Sequence, residues 1–173
     1  MVYKMNHKQY IHAWILEQKD LGLVFDMTCG NGHDTLFLAE HAESVVAVDI
    51  QMSAIEASKK RTEAFTNVHF FHASHDTIQF DKTPPISGAI YNLGYLPGSD
   101  KETITNKNST VQSLKNIIPH LTHFLVVSCY RKHPGGNEEY LAVKSYLESL
   151  NLNIEVFEYE VALSPVTFLI KFK

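Results

Sequence analysis

The 173-residue chain is 45% hydrophobic and 20% charged, enough apolar material for a sizeable core, and it fits one globular domain over residues 1–173. A formal charge of −4 and a pI near 6.2 exclude indiscriminate nucleic-acid binding, because phosphate affinity rests on clustered Lys and Arg. The longest apolar runs, Phe124 to Val127 and Val166 to Ile170, fall far short of the roughly 20 residues of a membrane-spanning helix. The start "MVYKMNHKQY" shows no signal-peptide core, so the cytoplasm is the expected compartment and no membrane partner is expected.

In chain order, His7 to Gln18 places Ile11, Trp14, Ile15 and Leu16 on or near one helical face, predicting an amphipathic helix packed on the sheet edge. "GLVFDMTCGNGHDTLFLAEHA" reads as a strand, Leu23 to Asp26, a glycine-bearing turn, and a helix with Leu36, Phe37 and Ala39 inward. "SVVAVDI", "SAIEASKKRTEAF" and "NVHFFHA" continue as strand, helix and strand, the β-α-β-α-β run of a doubly wound α/β fold. "GAIYN", "TVQSLKNIIPHL", "HFLVVSCY" and "NEEYLAVKSYLESLN" extend the alternation. The end differs: "NIEVFEYEV" and "VTFLIKFK" are separated by only "ALSP", too short for a helical crossover, and should pair as an antiparallel hairpin. The expected architecture is a mostly parallel seven-stranded sheet with helices on both faces and that hairpin at its C-terminal end.

Cys29 and Cys129 share no metal-ligand spacing, and the ten histidines are scattered with no HExxH pair, so no metal is expected. In "DMTCGNGHDT", Gly30 and Gly32 sit where strand turns into helix and a ligand can approach bare backbone. Asp49 closes the next strand, about 20 residues on, where an acid takes the hydroxyls of a ribose. A purely structural turn capped by Asp34 or Thr35 is the alternative. The third glycine of a dinucleotide fingerprint is missing, as is the GK[ST] of a P-loop, and a carboxylate at Asp26 suits a cationic sulfonium or amine better than a pyrophosphate. S-adenosylmethionine (SAM) meets these conditions: Asp26 for its positive end, the glycine-loop amides for its carboxylate, Asp49 for its ribose, and Ser74-His75-Asp76 beside its adenine.

The fourth strand runs into "NLGYLPG", at the carboxyl edge where open α/β sheets bind ligands. In methyltransferases acting on amino groups an Asn-x-x-Tyr stretch here lets the Asn92 side-chain oxygen and the next backbone carbonyl, that of Leu93, accept hydrogen bonds from the amine. Tyr95 then forms a wall, and catalysis is mostly placement. A tight turn with a packed aromatic is the other reading.

Together "DMTCGNGHDTLFLA", "VDIQ", "ASH", "NLGYLPGSDK" and "HPGGNEEY" resemble the YtqB-like, or MnmM, putative rRNA methylase family of small class I methyltransferases. The resemblance implies a Rossmann-like, SAM-dependent enzyme that methylates 5-aminomethyl-(2-thio)uridine at the wobble position of tRNA. Asp26, Gly30, Asn31, Gly32, Asp49, Gln51 and His75 match its cofactor-side motifs, with Asp34, Thr35 and Ser74 beside them; Asn92, Gly94 and Tyr95 match its substrate-side motif. Lys101 and Thr105 are candidates for anticodon-loop phosphates, Tyr130 for base stacking. In "CYRKHPGG", where the chain departs from the family pattern, Arg131 is a candidate phosphate contact; His133 is a candidate nucleotide contact or an ordinary loop histidine. The chain is too short for a separate RNA-binding domain, so the anticodon stem-loop would be recognised on this rim, with a second subunit of a homodimer as a candidate extension.

Overall fold

A computed structural model describes residues 6–94 and 106–172. The chain alternates α1 (His7–Leu16), β1 (Leu23–Asp26), α2 (His33–His41), β2 (Ser44–Asp49), α3 (Met52–Arg61), β3 (Val68–His72), β4 (Ile86–Leu93), α4 (Lys107–Ile117), β5 (Leu121–Cys129), α5 (Gly136–Ser149), β6 (Ile154–Glu158) and β7 (Val166–Lys171). The sheet has seven strands in the order β3-β2-β1-β4-β5-β7-β6. Strands β1 to β5 pair in parallel, and β7 is antiparallel to both β5 and β6, which is the expected terminal hairpin. The last strand inserts between β5 and β6, leaving β6 at the edge. Their connection is longer than "ALSP": β6 stops at Glu158, the Val161 and Ser164 amides turn back onto the carbonyls of Tyr159 and Val161, and Leu163 takes a positive φ of 55°.

Period-two alternation divides the strands between two helical layers. Phe25, Ala89, Tyr91, Leu125, Val127 and Phe168 face a core completed by Leu114 and Ile117 of α4 and Val143 and Leu147 of α5. Val24, Val45, Ile90, Val126 and Leu169 face the other side, against α1 and α2, with Ile55 of α3 closing that layer over Ala47 and Cys29. Helix α1 reaches the sheet edge as expected, with Tyr10 stacked on Phe157 and bonded to Glu155 of edge strand β6, and it also covers the adjoining face. Ile11, Trp14 and Ile15 lie on the face over β1, β4 and β5, while Leu16 stays exposed. In α2, Leu38 rather than Leu36 is the fully buried leucine. Trp14 meets Phe124 edge-on at 6.4 Å between ring centroids, an aromatic contact worth about 0.5–1.5 kcal/mol beyond area burial. Phe124 fits because β4 carries Gly88 beneath it; a Cβ there would sit 2.1 Å from the ring.

Candidate active site

The same alternation that buries Val24, Ala47, Ile90 and Val126 carries Asp26, Asp49, Asn92 and Ser128, two residues on, to the α1-α2-α3 side at the carboxyl ends of their strands. The strand order reverses between β1 and β4, the topological switch where such sheets bind ligands. A cavity of about 510 Å³ opens there.

One wall is the loop from β1 to α2. The Cys29 amide donates to the Val48 carbonyl (2.9 Å) and the Met27 amide to the Ile90 carbonyl (2.9 Å), tying the loop to both neighbouring strands. The amides of Gly30 and Gln51 donate to the two carboxylate oxygens of Asp49, Oδ2 and Oδ1, at 2.9 Å each. Each oxygen keeps a lone pair, so Asp49 is oriented to receive a pair of hydroxyls. Beyond it Ile50, Ala73, Ser74, His75 and Asp76 line the cavity. His75 is buried, its ring edge against Tyr91 at 5.9 Å, and its Nδ1 has no hydrogen-bond partner among the described residues. Burial pushes its pKa below the ordinary histidine value, so the neutral ring is favoured, with one nitrogen able to accept.

The opposite wall joins β4 to α1 and α2. The Asn92 backbone amide donates to Thr28 Oγ1 (2.6 Å) and its side-chain Nδ2 to Asp34 Oδ2 (2.8 Å). Asp34 Oδ1 lies 2.7 Å from His12 Nε2 and 3.5 Å from Lys8 Nζ. Burial alone would raise the Asp34 pKa, but the bonds from His12 and Asn92 and the charge of Lys8 outweigh it and hold the carboxyl below its ordinary value. His7, Lys8, Ile11 and His12 of α1 all reach this cavity. So does Ser128, whose hydroxyl is 2.8 Å from Thr167 Oγ1, itself 2.7 Å from His7 Nε2.

Of the residues expected from sequence, Gly30, Asn31, Asp34, Asp49, Gln51, Ser74, His75, Asn92, Gly94 and Tyr130 meet on this cavity. Six others do not, each for a physical reason. Asp26 lies fully buried beneath the loop, where it accepts from the Thr35 hydroxyl (2.7 Å) and the Thr28 amide (3.3 Å), which also keeps Thr35 inside. Gly32 is buried against Ser58 of α3 rather than facing a ligand. The Leu93 side chain is buried in the α4-α5 core and its carbonyl accepts from the Tyr130 amide (3.1 Å). Arg131 donates to Glu158 (2.7 Å) and to the Ser164 carbonyl (2.9 Å) and lies over the Tyr140 ring, so it clamps the hairpin loop instead of offering a free cation to phosphate. His133 is buried off the cavity wall, with Nδ1 3.1 Å from the Pro134 carbonyl oxygen. Tyr95, Lys101 and Thr105 lie outside the described residues. Sequence reading missed the α1 contribution; its signal was Lys8 and His12, one helical turn apart beside the apolar stripe. It also missed Thr28 and Ser128, whose relation to Asn92 depends on strand register.

Burial, reinforced by the charge of Asp34, raises the Asp26 pKa to about 7. The sign follows from proton binding: between the unfolded value of 3.8 and about 7 the native state holds the proton and the unfolded state does not, so this group's contribution to stability falls as pH rises through that window, by up to about 1.4 kcal/mol per unit. Asp26→Asn removes the titration. Its melting temperature is expected to gain on that of wild type from pH 5 to pH 7.5, and parallel pH curves would show an ordinary Asp26 pKa.

Among the described residues no group of three His, Cys, Asp or Glu side chains is arranged to hold a metal ion, and no helix is long and apolar enough to cross a membrane. The residues present suit SAM: a two-acceptor carboxylate at Asp49, an unpartnered buried nitrogen at His75, and a roomy cavity between them and Asn92.

Known structures share this fold. A crystal structure of a putative rRNA methylase from Clostridium thermocellum superposes with a TM-score of 0.86 at 26% identity, covering 99% of this chain and 100% of that one. A putative methyltransferase from Streptococcus mutans, solved in complex with SAH (S-adenosylhomocysteine), also gives 0.86, at 28% identity over 97% and 98% of the two chains. Fold and site together define a class I, SAM-dependent methyltransferase. Residues 45–168 match the family described as Putative rRNA methylase, and the chain belongs to that family. Among curated relatives, the chloroplastic tRNA (mnm(5)s(2)U34)-methyltransferase of Arabidopsis thaliana is 31% identical over 141 residues, 71% of this chain and 52% of the relative. The 23S rRNA (uracil(1939)-C(5))-methyltransferase RlmD of Marinomonas sp. (strain MWYL1) is 29% identical over 153 residues, 82% of this chain and 31% of the relative. The chain thus spans about half of the first relative and under a third of the second.

Proposed function

We propose that this protein transfers a methyl group from SAM to the amino nitrogen of 5-aminomethyl-(2-thio)uridine at the wobble position of tRNA, giving the 5-methylaminomethyl form. The observation that carries the reading is Asn92: the end of β4 brings a side-chain acceptor to the same cavity as the Asp49 carboxylate and the glycine-loop amides. The bound cofactor supplies an electrophilic methyl on a sulfonium sulfur. The protein's part is to hold the nucleophile. Asn92 Oδ1 accepts an N–H of the amine, aiming the nitrogen lone pair, and Tyr130 and Ile11, which line the same cavity, offer apolar surface to the base. Catalysis by placement of this kind needs no covalent protein intermediate. The anticodon stem-loop is the partner this reading assigns, in the cytoplasm, and the activity for which the Arabidopsis relative is named supports the substrate.

The RlmD relative is named for a carbon methylation of uracil instead. That chemistry calls for a nucleophile to activate the ring. Both cysteines are buried, with burial pushing each thiol above its ordinary pKa, which disfavours a thiolate. Nitrogen methylation is therefore the better fit.

Nucleoside mass spectrometry tests the reading: tRNA carrying 5-aminomethyluridine at the wobble base is incubated with the protein and SAM. A gain of one methyl on that nucleoside is the expected result. No gain, with SAH binding intact, would remove this substrate and leave the methyltransferase fold in place.

A further inference from the structure

We infer that Asp34 is a positioning residue: it fixes which end of the Asn92 amide faces the cavity, and so makes this wall a hydrogen-bond acceptor that selects N–H-bearing substrates. The kinetic consequence rests on the amine chemistry proposed above; the orientation rests on geometry alone.

An asparagine amide presents an oxygen and an NH2 group of nearly the same shape, and only its neighbours decide which faces a ligand. An ionised carboxylate accepts and never donates. Asp34 Oδ2 is 2.8 Å from Asn92 Nδ2, so the Asn92 oxygen is the end left for the cavity. The reversed amide would set two oxygens against each other. Four further contacts hold the arrangement. The Asn92 main chain is tied to Thr28 Oγ1 at 2.6 Å. Asp34 Oδ1 is held by His12 Nε2 at 2.7 Å, with Lys8 Nζ at 3.5 Å. The His12 ring is stacked on Phe37 with centroids 3.7 Å apart and planes 6° off parallel, which fixes the direction of its Nε2. Helices α1 and α2 and strand β4 thus converge on one amide. Without Asp34 either end of Asn92 can face the substrate, and a donor facing the amine would repel its N–H groups.

The test compares wild type with Asp34→Ala and Asp34→Asn in three readouts. Single-turnover methylation of the tRNA is expected to fall about 10- to 100-fold in Asp34→Ala, the range for a lost orienting partner, with SAH affinity unchanged by calorimetry. Asp34→Asn should recover most of that rate, because its oxygen still accepts from Asn92 and its NH2 can donate to a neutral His12. A loss confined to SAH affinity, an unchanged rate in Asp34→Ala, or an Asp34→Asn variant as slow as Asp34→Ala would each overturn the inference. The third readout needs no activity. In ¹H–¹⁵N spectra the Asn92 side-chain amide, assigned by its absence in Asn92→Ala, should exchange slowly in wild type and fast in Asp34→Ala; equal exchange in both would overturn the orientation. Failure of wild type to methylate the tRNA would count against the proposed function, while the amide spectra would still decide this point.

Discussion

Asn92→Ala is expected to slow methyl transfer by about 100- to 1000-fold, the effect of deleting one preorganised hydrogen-bonding group at a reacting centre. Two features of the site make the prediction specific. The backbone bond from Asn92 to Thr28 survives the substitution, so the loop that carries Gly30 stays tied to β4. Asp49 also keeps both of its backbone donors, so the ribose side of the cavity is untouched. SAH affinity should therefore stay at the wild-type value while the single-turnover rate falls. The loss of the Nδ2 bond to Asp34 should cost about 1.5–3 kcal/mol of stability, as for a hydrogen bond to a charged group, so the protein remains folded for the measurement. An Asn92→Ala enzyme with the wild-type rate would take this residue out of the reaction.

Gly32→Ala is expected to destabilise the protein by about 2–5 kcal/mol, summing the cost of a left-handed backbone for a non-glycine residue and that of overpacking. Gly32 has φ 78°, and a Cβ there would lie 2.7 Å from Ser58 Cα on α3, a backbone atom that cannot swing away. Helices α2 and α3 would have to part. For a chain of this length the melting temperature should drop by about 5–15 °C. Gly135→Ala is the matched control: its φ is 80°, but no described residue lies within 4 Å of the added carbon, so the backbone cost of about 1–2 kcal/mol is the expected effect. Equal losses at the two positions would show that the helix contact carries none of the effect.

The two glycines of the loop show how sequence and structure divide the information. Both stand in the right place for a strand-to-helix turn, and "GNG" after a short apolar strand announces that turn without help from the fold. Only Gly30 keeps its backbone at the cavity, its amide on Asp49. Gly32 serves the packing of two helices, a fact written at Ser58, 26 positions away by the numbering. Asp26 follows the same logic. Its position at a strand end is legible, but whether that end lies on the cavity wall or under it depends on how the loop folds back over it.

The sequence by itself determined the α/β alternation, the parallel sheet with its antiparallel end, the glycine turn, and the placing of Asp49 and Asn92 at strand ends that meet on one cavity. These are local matters: hydrophobic period, turn chemistry and strand-end position act over a few residues and leave their mark in the letters. Tertiary structure alone decided that β7 inserts beside β5, that Arg131 is held by Glu158 and Ser164, and that α1 extends from the edge over the site. It also decided that Asp34, read from sequence as a cap or a cofactor contact, meets both His12 and Asn92. Those contacts join residues tens of positions apart, and their partners are chosen by strand register and by which sheet face each helix covers, neither of which any short stretch of this chain encodes.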